Sequence, residues 1–158
     1  MTTTRTRVAA TLVMCAFVFL FAAPSVLADS SEPKPIRCLA DMAFNDWGDG
    51  MYWKGDVHGC ILAGSIRVTE LPAVFPGTTE HFFEEFEITA GTEVISGTDA
   101  GVWSFVTYKF RANGWVREAT PGLHYLVGYK VHMSGVTSPW PGELPITTDD
   151  MEMRFVAP

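Results

Sequence analysis

Glu84 is the residue whose neighbours best equip it for chemistry. In the run 81–90 (HFFEEFEITA) alternate side chains of a strand point to opposite faces. Phe82, Glu84, Phe86 and Ile88 share one face, and His81, Phe83, Glu85, Glu87 and Thr89 share the other. A carboxylate between two phenylalanines on the apolar face loses hydration, which raises its pKa unless a cation or donors pair with it. One reading makes Glu84 a general acid–base or a polar hook in a ligand cavity. The other makes it a structural carboxylate bonded to Arg, Tyr or backbone groups. Two further runs, 101–111 and 125–135, each carry an apolar face with tyrosine on it. Phe82, Phe86, Tyr108 and Tyr129 are therefore the candidate ligand-binding residues, with Glu84 the candidate catalytic one. The tyrosines serve equally as packing residues with their hydroxyls at a rim.

Other chemistries lack their residue patterns. Glu85 and Glu87 alternate away from Glu84, so these carboxylates do not make a paired glycosidase site. His58, His81, His124 and His132 form no HxH or HxxxH pair, and no Cys or carboxylate stands at metal-ligand spacing beside them. Asp41, Asp46 and Asp49 surround a glycine-rich turn but do not match a calcium loop, and read as solvated. No metal site is expected. There is no G-x-S-x-G elbow, phosphate-binding glycine loop or dinucleotide fingerprint, so no cofactor is expected either. Eleven Lys+Arg against eighteen Asp+Glu give a net charge of −7, which argues against a nucleic-acid partner.

The elements that position these residues are short strands. The chain has 158 residues, 47% apolar and 18% charged, the size and composition of one globular domain. Residues 1–28 read as a secretory signal peptide: Arg5 and Arg7, the apolar run 8–23, then Val26-Leu27-Ala28 before the cleavage point. The apolar run is shorter than the ~20 residues needed to span a bilayer, so no stable membrane span is expected after cleavage. Residues 29–35 form a flexible leader and 36–158 the domain. Export to a periplasm or out of the cell fits the cysteines. Cleavage removes Cys15 and leaves Cys38 and Cys60, whose disulfide would close a loop of about 20 residues and stabilise by roughly 3 kcal/mol.

Stretches of β-branched and aromatic residues fall at 36–44, 51–58, 60–71, 81–90, 92–98, 101–111, 115–120, 125–137 and 151–156. Asn113-Gly114 predicts a tight hairpin turn between two of them, and 138–150 reads as a proline-rich loop. Connections this short favour antiparallel neighbours. The fold class is all-β: one antiparallel barrel of about eight strands, with a β-sandwich as the alternative. Glycines inside strands (Gly55, Gly64, Gly128) favour the barrel, where sharp bends want them.

The middle of the chain resembles the allene oxide cyclase and dirigent group of small β-barrels, including bacterial relatives without known activity. The resemblance rests on Trp53-Lys54-Gly55-Asp56-Val57-His58-Gly59 and Phe83-Glu84-Glu85-Phe86-Glu87-Ile88. It continues through Gly97-Thr98-Asp99-Ala100-Gly101-Val102 and Asn113-Gly114-Trp115-Val116-Arg117-Glu118-Ala119-Thr120, and closes with 151–156. It implies an eight-stranded barrel with a largely apolar cavity, often a homo-oligomer, in which a cyclase or stereochemical guide holds a reactive apolar substrate. No catalytic residue of that group matches a position in this chain. Two roles follow for the domain: binding a small apolar molecule in the barrel, or isomerising one with Glu84 moving a proton. A third is an interaction protein whose aromatic faces pack against partner subunits.

Overall fold

The computed structural model describes residues 33–139 and 143–158. The expected signal peptide and the first part of the leader lie outside the described residues.

The strands are β1 (Ile36–Asp46), β2 (Met51–His58), β3 (Gly64–Glu70), β4 (Thr79–Ala90), β5 (Glu93–Ser104), β6 (Lys109–Ala119), β7 (Lys130–Val136) and β8 (Ile146–Val156). Each pairs antiparallel with the next in sequence. β8 returns to β1, with Ile36 opposite Phe155 and Phe44 opposite Ile146, and the sheet closes as a barrel. Closure excludes the sandwich alternative and satisfies both edge strands.

Alternation then sorts every strand between lumen and solvent. On β4, Glu80, Phe82, Phe86 and Ile88 are buried while His81, Phe83, Glu85 and Glu87 are exposed. On β5 the inward positions run Ile95, Gly97, Asp99, Gly101 and Trp103. Phe82 leans over Gly101, where an added Cβ would stand 2.2 Å from its ring, so the missing side chain makes room for a large one opposite.

The structure redraws several expected boundaries, among them the 138–150 loop, since β8 already begins at Ile146. Asn113-Gly114 lies in the middle of β6, not at a hairpin tip. The turn falls instead at residues 105–108, where Ser104 accepts the Tyr108 amide at 2.8 Å. Gly114 is required by packing across the strand pair: a Cβ there would meet Thr98 O at 2.2 Å and the Asp99 side chain at 2.6 Å. The expected strands 92–98 and 101–111 are one strand as far as Ser104, because the glycines that suggested a break face a crowded lumen. Residues Pro121–Leu126 form a 3-10 helix rather than the start of a strand; Pro121 suits a helical first turn, and Leu126 is fully buried. Gly55 and Gly64 lie in strands as expected, whereas Gly128 sits in a turn with φ of 88°.

The two ends of the barrel differ. At one end Ile66, Ile88, Ile95, Val116, Val131 and Phe155 fill the interior, covered by Leu62 and Leu126. Cys38 and Cys60 are joined by a disulfide at this end, tying the start of β1 to the β2–β3 connection. The other end, where β1, β3, β5 and β7 finish, keeps open space.

Two expectations follow. Gly114→Ala should destabilise the protein by about 1–3 kcal/mol in urea denaturation, because backbone and Asp99 must both give way; an unchanged midpoint would contradict the close approach. Replacing Cys38 and Cys60 by serine should cost roughly 3 kcal/mol in the same measurement.

Candidate functional site

The open end encloses a cavity of about 200 Å³. Most of its wall is apolar and aromatic, with Phe44, Trp53, Phe82, Trp103 and Phe110 prominent. The 71–78 connection folds back over the mouth. Val74 and His81 exchange backbone hydrogen bonds of 2.8 and 3.0 Å, and Phe75 stacks on Phe105 with ring centroids 6.3 Å apart.

Set in this apolar wall is a row of acids. Glu70 on β3 lies directly opposite Glu84 on β4, and Glu84 directly opposite Asp99 on β5. Gly114 on β6 is the next position in the row, and its bare Cα leaves Asp99 its space. Glu80 is on the same face of β4, nearer the mouth, opposite Trp103. Glu80 and Asp99 are only 6% and 5% exposed. Glu84 keeps partial accessibility because it borders the cavity.

Like charges opposed in a low-dielectric lumen cannot all ionise cheaply. Desolvation, then the neighbouring Asp99 and Glu70 carboxylates, hold the Glu84 pKa well above the usual range. Desolvation and Glu70 push Glu80 up to about 8. Desolvation raises Asp99 to about 7, against the lowering effect of a hydrogen bond from Glu84. Neither Asp99 oxygen meets a nitrogen or hydroxyl donor among the described residues, and the carboxyl that faces it across the strand pair is Glu84. Two more buried polar atoms in the cavity wall have no partner: Trp103 Nε1 and Thr148 Oγ1.

No family model, curated protein or solved structure matches this chain.

Of the residues singled out from sequence, Glu84 and Phe82 border the cavity. Phe86 faces inward but is 1% exposed and lies in the packed core beside Gly97. Tyr108 and Tyr129 do not line the cavity. Tyr108 occupies the β5–β6 turn with φ of 56°, and Tyr129 precedes β7, half-buried against the core. Their expected faces assumed alternation continuing through turns, and a turn resets it. Trp103 takes the lumen position instead. Glu70, Glu80 and Asp99 were not singled out from sequence. Ile66, Val68 and Glu70 share one parity on β3, and extending β5 unbroken through Asp99 would have put that acid inward.

Strand pairing also assembles a cluster that spacing along the chain conceals. His58 Nε2 lies 3.2 Å from Asp41 Oδ2, an ion pair when the imidazole is protonated. Asp41 Oδ1 accepts the Asp150 amide at 2.8 Å where β1 bulges against β8. Asp41, His58 and Asp150 offer ligand atoms within 4.8 Å of one another, on the barrel's outer face. Sequence spacing predicted no metal pattern; these three residues come from three strands and have metal-compatible geometry, with Asp41 and Asp150 exposed.

The raised lumen pKa values set a stability profile. Unfolded carboxyls titrate near pH 4, and the folded Glu80 and Asp99 titrate at about 8 and about 7. Between those limits the folded state binds more protons than the unfolded state. This contribution is therefore full below about pH 4 and is lost as pH rises through about 7 to 8. Melting temperatures should fall from about pH 5 to about pH 8, and Glu80→Gln should flatten the slope. Identical slopes in the two proteins would contradict the assignment.

Proposed function

We propose that this protein binds a small, largely apolar molecule in the open end of the barrel. The observation that carries the reading is the cavity itself: aromatic walls, a packed floor and a few polar groups, the character of a small-molecule site. A barrel of eight strands is wide enough to hold one small ligand. The Cys38–Cys60 disulfide and the leader sequence support a protein exported to an oxidising compartment.

An isomerase or cyclase is the second reading, favoured by the opposed Glu84–Asp99 pair. Desolvation favours the protonated form of Glu84, beside a second carboxyl, Asp99, that can exchange a proton with it, as general acid–base chemistry requires. The resemblance to allene oxide cyclase-like barrels supports the same reading. Glu84→Gln then removes turnover; undiminished turnover by that variant rules the isomerase out.

Native mass spectrometry of protein purified under gentle conditions tests the binding reading. We expect a non-covalent small-molecule adduct. Ala112→Phe, which places a ring where a 2%-exposed methyl now borders the cavity, should weaken rebinding at least about tenfold. Rebinding unaffected by that substitution would place the ligand elsewhere.

A further inference from the structure

The polar side of the cavity carries one sign of charge. Glu70, Glu80 and Glu84 border it and Asp99 stands behind Glu84, while no Lys, Arg or His lines it among the described residues. The cations of β3, β6 and β7 point the other way: Arg67, Lys109, Arg111 and Lys130 are all on exposed positions. The other elements around the cavity face these acids with uncharged groups, such as Met42 of β1, Trp53 of β2, Phe110 and Ala112 of β6, Met133 of β7 and Thr148 of β8. Four acids on three adjacent strands, with no internal cation, exceed what a purely apolar ligand would need. An acid desolvated in such a wall keeps its proton until a counter-charge arrives to stabilise the ionised form.

A second observation points to a ligand independently. Thr148 is 2% exposed, borders the cavity and has no hydrogen-bond partner for its hydroxyl. It sits on β8, and in a ring of eight strands β8 lies across from β4, which carries Glu80 and Glu84.

We propose that the ligand is an organic cation: a protonated amine on an apolar body, its ammonium set against Glu80 and Glu84 and its body among the aromatic rings. This rests on the reading of the lumen as a binding site, and names the ligand's polar end. An ammonium offers three N–H donors to a wall of acceptors, and the faces of Trp53 and Trp103 are favourable to a cation. A metal ion fits less well. Among the described residues, the one group of three acids or histidines close enough to share a metal is Asp41, His58 and Asp150, outside the lumen. An anion would lie against acids, with no Lys, Arg or His lining the cavity among the described residues to pair with it.

The protonation state supplies a signature. In the free protein burial favours the protonated forms of Glu80, whose pKa is pushed up to about 8, and of Glu84. An arriving ammonium favours their ionised forms, so binding releases protons and strengthens as pH rises toward about 8, below the amine's own pKa near 10.

The test is isothermal titration calorimetry of the full chain against primary alkylamines from butylamine to octylamine, with 1-alkanols and alkanoates of the same lengths. At about pH 8 the amines should bind at least about tenfold more tightly than the matched alcohols, and the alkanoates more weakly still. Amine binding should release protons, read from buffers of different ionisation enthalpy. In Glu80→Gln and Glu84→Gln the amine-to-alcohol ratio should fall toward unity; with repulsion relieved, either variant suffices if the other folds poorly. Equal affinities for amines and alcohols in the unaltered protein would overturn the cation while leaving the apolar lumen site standing. Binding by no member of any series would overturn both.

Discussion

Closure of β8 onto β1 is the constraint on which the rest of the structure depends. Once the sheet has no edges, every strand must divide its residues between one interior and one exterior, and a period of two becomes a sorting rule. The interior is narrow, so its occupants are chosen in pairs. Gly101 is bare where Phe82 is large, and Gly114 is bare where Asp99 stands. A small residue on one strand and a bulky one on its neighbour keep the wall continuous at a fixed circumference.

The same rule divides the molecule lengthwise. At the end tied by Cys38–Cys60, branched and aromatic side chains meet in the middle and leave no room. At the opposite end the lumen widens into a cavity, and the acids stand at its wall. The desolvated carboxylates are thus kept apart from the close-packed apolar end.

Glu80, Glu84 and Asp99 meet their burial with raised pKa values, and no Lys or Arg lines the cavity among the described residues to pair with them. Glu84 faces Asp99 across the strand pair, and Glu80 stands nearer the mouth. A structural carboxylate normally draws a cation or several amides to itself; among the described residues Asp99 has no such partner.

The amino-acid sequence by itself determined the all-β class, an approximate strand count, the inward direction of Glu84 and Phe82 and the only cysteine pairing left after residue 28. Each follows from local pattern: β-branched runs, alternation within one uninterrupted strand, and a count of two. It misled where a glycine had two physical explanations. Asn113-Gly114 carries the signature of a turn, yet Gly114 is small because Asp99 presses on it from the next strand. Tyr108 was put on the wrong surface because parity does not survive a turn. Only the tertiary structure decided that Glu70, Glu84 and Asp99 form one row, or that Asp41, His58 and Asp150 meet outside. Register between strands sets both groupings, and register is fixed by how side chains fill a closed lumen, a property of all eight strands together and of no single stretch of chain.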